Sequence, residues 1–285
     1  MMRLPTAIAA TVAVVSISAS TACGGNSSAT PVATSCPISV PTAAGTCPVS
    51  LDSEVVFTGD YDTGDLTQWA TLQTRGWNNF PGKYCGYNAC VRDGGSGHAT
   101  AARFEIRDGD VPPFGGGIRS EVRTAGDPAG GASVREGDER WYELSVKFDA
   151  DFRNPRTGAH DWFVIMQWLP ADDSIPALTL QVSLDGELEL GGDARSVQFR
   201  RPIGDIARGM WVDYVLHVKF SADPHVGFVE VWRNGRLSVP MHHRPTLGMA
   251  ESSYLKQGAY RSPDSVGTQV LWHDGLRVVA PGPRP

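Results

Sequence analysis

Between Trp141 and Phe148 apolar and polar residues alternate: Tyr142, Leu144, Val146 and Phe148 fall on one side, Glu143, Ser145 and Lys147 on the other. A period of two marks a pleated strand with one buried face. The pattern returns at Tyr214–Phe220, where Tyr214, Leu216, Val218 and Phe220 oppose Val215, His217 and Lys219. Further strands are predicted at Asp161–Trp168, Leu178–Leu184, Gly227–Arg233 and Gln269–Val278. Ser221-Ala222-Asp223-Pro224 supplies a turn, and Asn234-Gly235 is a two-residue hairpin signal because both residue types tolerate positive φ. No stretch carries the period of a long amphipathic helix, and no repeat of propeller length is visible. Many short strands punctuated by Gly, Pro and Asp predict an all-β fold, a two-sheet sandwich or jelly roll.

The first fifty residues break this pattern. Met1-Met2-Arg3, the apolar run Ala7–Ser18 and the small residues Ser20-Thr21-Ala22 before Cys23 read as an export signal over residues 1–23. The run is too short for a permanent membrane span. Its end resembles a bacterial lipobox, which implies lipidation of Cys23, although Ser20 stands where leucine is usual and ordinary signal-peptidase cleavage is the alternative. Residues 24–50, rich in Ser, Thr, Ala and Pro, read as a flexible tether. That leaves 51–285 for one β domain, secreted or held at the cell surface, with the membrane touched only through a lipid at Cys23. Once Cys23 is set aside, the remaining cysteines form two close pairs, Cys36 with Cys47 and Cys85 with Cys90. An oxidising compartment makes two local disulfides the natural expectation.

Charge changes the picture only by exclusion. A net charge of -6 argues against a nucleic-acid partner, and the bias to 21 Arg over 4 Lys carries no mechanism. No Cys/His spacing suits zinc. A monomer is expected.

The candidate chemistry lies in three polar segments: Arg119-Ser120-Glu121-Val122-Arg123, Gln167-Trp168-Leu169 and Tyr254-Leu255-Lys256-Gln257-Gly258-Ala259-Tyr260. On a pleated strand Arg119, Glu121 and Arg123 share a face, as do Tyr254, Lys256 and Tyr260. Taken singly, each could be an alternating charged face in solvent. In this order they resemble the groove of β-jelly-roll polysaccharide lyases of the glucuronan-lyase, heparin-lyase-I and alginate-lyase-like groups, whose patterns run R-S/T-E-x-R, Q-x-H and Y-x-K-x-G-x-Y. Phe57-Thr58-Gly59-Asp60 with Trp69, the hairpin region Trp211–Gly235, and Trp272–Leu276 resemble the opening, central and closing segments of the same families. Leu169 departs, standing where those families carry histidine.

The resemblance implies a concanavalin-like sandwich and β-elimination on an anionic, uronate-containing polysaccharide. In that reaction the C5 proton is removed and the bond to O4 breaks, so the neighbouring carboxylate must be neutralised by donors placed where charge develops. Gln167 offers an amide donor and Arg119 or Arg123 a guanidinium fork. Tyr260 is the candidate acid and base, provided nearby cations lower its pKa; Lys256, on the same face, could do so or could hold a substrate carboxylate. Glu121, between two arginines, is expected to orient them, and Tyr254 to contact substrate. His217 and Lys219 are candidates for the groove's far end. The missing histidine leaves three readings: Tyr260 acts alone, His160, His242 or His243 substitutes, or the chain is a carbohydrate-binding protein without turnover.

No cofactor is required by this chemistry. Asp60 and Asp274, near the first and last strands, are candidates to share a structural Ca²⁺. The tryptophans 141, 162, 168, 211, 232 and 272 are expected in the core or the groove wall. Gly115-Gly116-Gly117 reads as a bend, since it lacks the Lys-Ser/Thr of a phosphate loop. A retaining glycoside hydrolase would need paired carboxylates on one strand, and Glu187-Leu188-Glu189 lacks that arrangement.

Overall fold

The computed structural model describes residues 53–126, 131–155, 162–194, 197–248 and 252–281. Cys23, Cys36, Cys47, His160 and the expected export signal and tether lie outside these residues. Among the described residues there are seventeen strands and no helix, arranged in two sheets.

The first sheet runs in the order β15 (Arg236–His243), β14 (Phe228–Arg233), β13 (Trp211–Lys219), β8 (Glu139–Phe148), β17 (Gln269–Ala280), β5 (Ala101–Ile106) and β4 (Ala89–Arg92), with β1 (Glu54–Gly59) also pairing with β17. The second runs β12 (Val197–Asp205), β11 (Glu187–Ala194), β10 (Thr179–Val182), β9 (Phe163–Pro170), β16 (Ser252–Arg261), β6 (Ile118–Arg123), β2 (Thr71–Thr74) and β3 (Trp77–Asn79), and β7 (Val134–Arg135) adds a short pairing to β16. Ladders such as β16 with β6 and β9 are antiparallel, and neighbours far apart in sequence require the crossovers of a jelly roll. The chain is therefore an all-β jelly-roll sandwich. Closure of the last strand on the first, Leu276 opposite Gly59, follows the expectation from the terminal segments.

The alternation read from sequence explains the packing. Tyr142, Leu144, Val146, Tyr214, Leu216 and Val218 of the first sheet meet Val122, Trp168, Leu180, Leu190, Leu255 and Ala259 of the second in one buried cluster. Trp168 also donates its indole N–H to Tyr142 Oη at 2.9 Å, so the indole is buried without an orphaned donor. Cys85 is joined to Cys90 beside β4, as the spacing predicts.

One irregularity positions the polar face of the second sheet. Along β6 the partners of β16 run without a break, from Lys256 opposite Arg123 to Tyr260 opposite Arg119. Along β9 the register shifts between Gln257 opposite Met166 and Tyr260 opposite Val164, which is a bulge. It falls at Gly258, whose φ of 142° suits glycine and whose added Cβ would lie 2.3 Å from the Ser120 carbonyl oxygen. Behind it, in the core, the fully buried His273 places Nε2 at 3.3 Å from the Gly258 carbonyl oxygen. Burial pushes this imidazole down to about 3, so at neutral pH the ring is uncharged and bonds through an Nε2–H.

Candidate active site

The three motif segments become β6, β9 and β16, neighbours at the centre of the second sheet. Their register sets Arg123, Lys256 and Gln167 in one row across the strands, and Thr179, Gly191 and Arg200 extend that row over β10, β11 and β12. Each step is one strand spacing, about 4.8 Å.

Glu121 is the hub of the central cluster. Its carboxylate accepts from Gln167 Nε2 at 2.6 Å and Lys256 Nζ at 2.6 Å, and Arg119 Nη1 lies 3.3 Å away. Glu121, Lys256 and Gln167 are all at most 2% exposed. A buried carboxylate with this many donors is a fixed counter-ion, which suits the expected orienting role. Burial lowers the Lys256 pKa against the opposing pull of Glu121. The Gln167 amide spends one N–H on Glu121, and its nitrogen carries a second.

Tyr260 lies at the edge of this hub. The Arg119 guanidinium carbon is 3.9 Å from the centre of the Tyr260 ring, a cation–π stack, and the Trp162 ring centre is 4.4 Å from the same ring. Arg119 is held from behind by a hydrogen bond to the Gly116 carbonyl, and a Cβ on Gly117 (φ 96°) would press against the tyrosine at 3.0 Å. The glycine segment is thus the wall behind Tyr260. The expected lowering of its pKa is not found: burial raises it, outweighing Arg119. Tyr254 is held differently, donating its hydroxyl to Asp173 Oδ1 at 2.7 Å with Arg123 5.2 Å from the ring centre. Burial and Asp173 push Tyr254 upward, so it stays a protonated donor. Leu169 is paired with Tyr254 across the β9–β16 ladder, an apolar side chain two residues beyond Gln167.

Several expected site residues are elsewhere. His217 and Lys219 lie on β13 in the first sheet, outside the groove, because β13 pairs with β8 and β14. His217 stacks on Trp141 at 3.9 Å and bridges Glu139 (2.9 Å) and Glu230 (3.0 Å). Burial opposes its charge, yet the two carboxylates raise its pKa. Lys219 bonds the Gly137 carbonyl. His242 and His243 are on β15 of the first sheet; His242 stacks on Phe199 of β12, four strands from Tyr260, and His243 meets Phe228. Neither stands in for the missing histidine. Asp274 bonds His98 at 2.6 Å and Asp60 accepts from Gln68 at 2.8 Å. Among the described residues no group of three or more His, Cys, Asp or Glu is arranged to hold a metal ion.

The sequence reading missed the region beside Tyr260. A cavity of about 590 Å³ extends from Tyr260 and Trp162 over Thr179, Gln181 and Gly192 to Phe199 and Arg200. Beneath it Glu189, 4% exposed, accepts from Gln181 Nε2 at 2.8 Å and Arg200 Nη1 at 3.0 Å. A Cβ on Gly191 would lie 2.5 Å from the Gln181 side chain, so the glycine makes room for that amide. The three polar residues sit on β10, β11 and β12, and only hydrogen-bond register brings them together.

A sequence model of the family described as "Polysaccharide lyase" matches residues 61–277. The chain belongs to the polysaccharide lyase family. It is accordingly an enzyme, a polysaccharide lyase, and the matched span contains all three motif strands. An endo-β-1,4-glucuronan lyase from the fungus Trichoderma reesei is similar in structure, with 17% identity, a TM-score of 0.59, and coverage of 79% of this chain and 95% of that one. A family 7 alginate lyase solved with substrate is similar at 15% identity and TM-score 0.53, covering 80% and 99% of the two chains. An alginate lyase from Corynebacterium sp. gives 17% identity and TM-score 0.50 over 73% and 93%. At these identities the likeness establishes the fold. No curated protein sequence matches the chain.

Proposed function

We propose that this polysaccharide lyase cleaves an anionic, uronate-containing polymer by β-elimination at the row formed by Arg123, Lys256 and Gln167, with Tyr260 as acid and base. The observation that carries the proposal is the Glu121 hub, which fixes Gln167, Lys256 and Arg119 beside a tyrosine that is open to the cavity. The glucuronan and alginate lyases of the same fold act on uronate polymers, in support of that substrate class.

In this mechanism the second N–H of Gln167 and the guanidinium of Arg123 bind the uronate carboxylate, stabilising charge that develops as C5–H breaks. The Tyr260 phenolate takes the C5 proton, the C4–C5 double bond forms as C4–O4 breaks, and the phenol returns that proton to O4. The tyrosine ends as it began, and both transfers occur on one face of the sugar. Arg119, stacked on the ring, favours the phenolate electrostatically, and Lys256 holds Glu121 rather than substrate. Leu169 stands at the histidine position, and this scheme uses Tyr260 alone; His160, the other candidate substitute, lies outside the described residues. Because burial raises the Tyr260 pKa, the phenolate is scarce at neutral pH and kcat/KM climbs toward alkaline pH. We further propose that residues 1–23 direct export, and that a lipid on Cys23 and the 24–50 tether would hold the domain near a membrane surface.

The test is the ultraviolet absorbance of the conjugated unsaturated uronate, followed with glucuronan, alginate and glycosaminoglycan-type polymers from neutral to alkaline pH. A rise that steepens with pH supports the scheme. Silence on every polymer, with binding retained, would leave a sugar-binding protein of the same fold.

A further inference from the structure

Gly258 is held from behind by a side chain that belongs to the other sheet. From β17 the imidazole of His273 crosses the core and places Nε2 at 3.3 Å from the Gly258 carbonyl oxygen. A carbonyl only accepts, so this nitrogen carries the proton. The ring meets Phe104 edge-on at 5.7 Å and is fully buried. Its other nitrogen, Nδ1, is buried with no hydrogen-bond partner among the described residues. Histidine is a poor filler for such a place, since leucine or phenylalanine would occupy the core without desolvating an unpaired nitrogen. What the imidazole adds is one donor, aimed at one carbonyl.

That carbonyl lies where β16 leaves its regular pairing. Gln257 is opposite Met166 and Tyr260 opposite Val164, so Gly258 and Ala259 together face Ile165 alone. Residues in a bulge lose ladder partners on that side, and a buried peptide group must find them elsewhere. The preceding residue is anchored from the core as well, Tyr61 donating its hydroxyl to Gln257 Oε1 at 2.6 Å. Two residues beyond Gly258, the Tyr260 ring is confined on the groove side by Arg119, Trp162 and Gly117. Those contacts fix the ring only while the backbone beneath it stays at the bulge. We infer that His273 is a positioning residue for Tyr260: its Nε2–H, by holding the Gly258 carbonyl, keeps the bulge that sets the tyrosine in the groove. The inference rests on the elimination reading, in which Tyr260 moves the proton. A reacting group displaced by about 1 Å loses on the order of a hundredfold in rate, so this bond bears on kcat rather than on capture of the polymer.

The experiment follows the absorbance rise and oligosaccharide binding for wild type, His273→Leu, His273→Gln and Tyr260→Phe, on whichever of glucuronan, alginate and the glycosaminoglycan-type polymers is cleaved fastest. His273→Leu is expected to lower kcat by roughly tenfold to a hundredfold while KM changes less than about twofold. His273→Gln, whose Nε2 can reach the same carbonyl, is expected to regain most of the rate. Adding His273→Leu to Tyr260→Phe should cost nothing further, because both act at one step. Wild-type kcat in His273→Leu overturns the inference, as does a glutamine variant no better than the leucine one, or a KM that worsens in step with kcat. A further measurement needs no variant: nitrogen-15 NMR of histidine-labelled wild type is expected to show His273 as the Nε2–H tautomer at neutral pH. The Nδ1–H tautomer would have no donor for Gly258 and overturns the inference. Undiminished cleavage by Tyr260→Phe would instead sink the acid–base reading, and the positioning role with it.

Discussion

Glu121 and Glu189 are two versions of one device. Each is a buried glutamate on the groove side of the second sheet, and each holds a glutamine amide and an arginine. They differ in how the positive partners are enclosed. Arg119 and Lys256 have side chains 9% and 1% exposed, whereas the Arg200 side chain is 40% exposed. Glu121 sits among central strands and Glu189 near the sheet edge. A closed hub cannot relax when charge develops on substrate, which is the condition for electrostatic stabilisation. The open one keeps its guanidinium in contact with water and can adapt to a bound sugar. On the proposed scheme, enclosure rather than residue identity separates the end that does chemistry from the end that recognises sugar.

The sharpest test of that division is Tyr260→Phe. It should lower kcat by about a thousandfold while oligosaccharide affinity changes only a few-fold. A comparable fall on replacing Arg200 would erase the distinction between the two ends.

Next in size is stability. Glu121→Ala strands Lys256 in the interior and should cost about 3 to 5 kcal/mol in denaturant unfolding, with much of it recovered in the double variant Glu121→Ala, Lys256→Met. Glu189→Ala should cost on the order of 1 kcal/mol, because Arg200 can turn to solvent. Equal losses would mean that enclosure does not matter.

Acid should then attack the central end. His273, under the Gly258 bulge, has a folded pKa near 3, below the ordinary histidine value of 6.5. The unfolded chain therefore binds the extra proton first, and stability falls as pH drops from about 6.5 toward 3, by about 2 kcal/mol between about pH 7 and pH 5. The raised pKa of His217 works with the opposite sign, its stabilisation present in acid and lost as pH rises through the folded value. The pH dependence of unfolding in His273→Gln, set against wild type, isolates the first effect; an unchanged slope would refute it.

The smallest effect is kinetic. Glu189→Gln should raise KM several-fold with little change in kcat, since it loosens Gln181 and Arg200 but leaves the central hub intact.

The central end was legible in the sequence because its residues recur at a spacing of two within single strands. Arg119 with Glu121, and Lys256 with Tyr260, needed only the strand period to be placed on one face. The edge cavity was not, since Gln181, Glu189 and Arg200 come from three strands and meet through register and the bare Gly191. The same alternation misplaced His217 and Lys219: it gave their face correctly but could not say which sheet β13 would join. The direction of the Tyr260 shift was missed because counting nearby cations says nothing about burial.

The order of the second sheet also bears on how such an enzyme can be changed. β16 is clamped on both sides, by β9 through a bulge and by β6 without one, so a single insertion or deletion there would turn Tyr260 away from the groove. β12 has a neighbour on one side in its own sheet and carries Phe199 and Arg200 at the rim. Evolution, or a library, can redraw that rim, and on the proposed scheme retarget the enzyme to another polymer, without touching the strand that carries Tyr260.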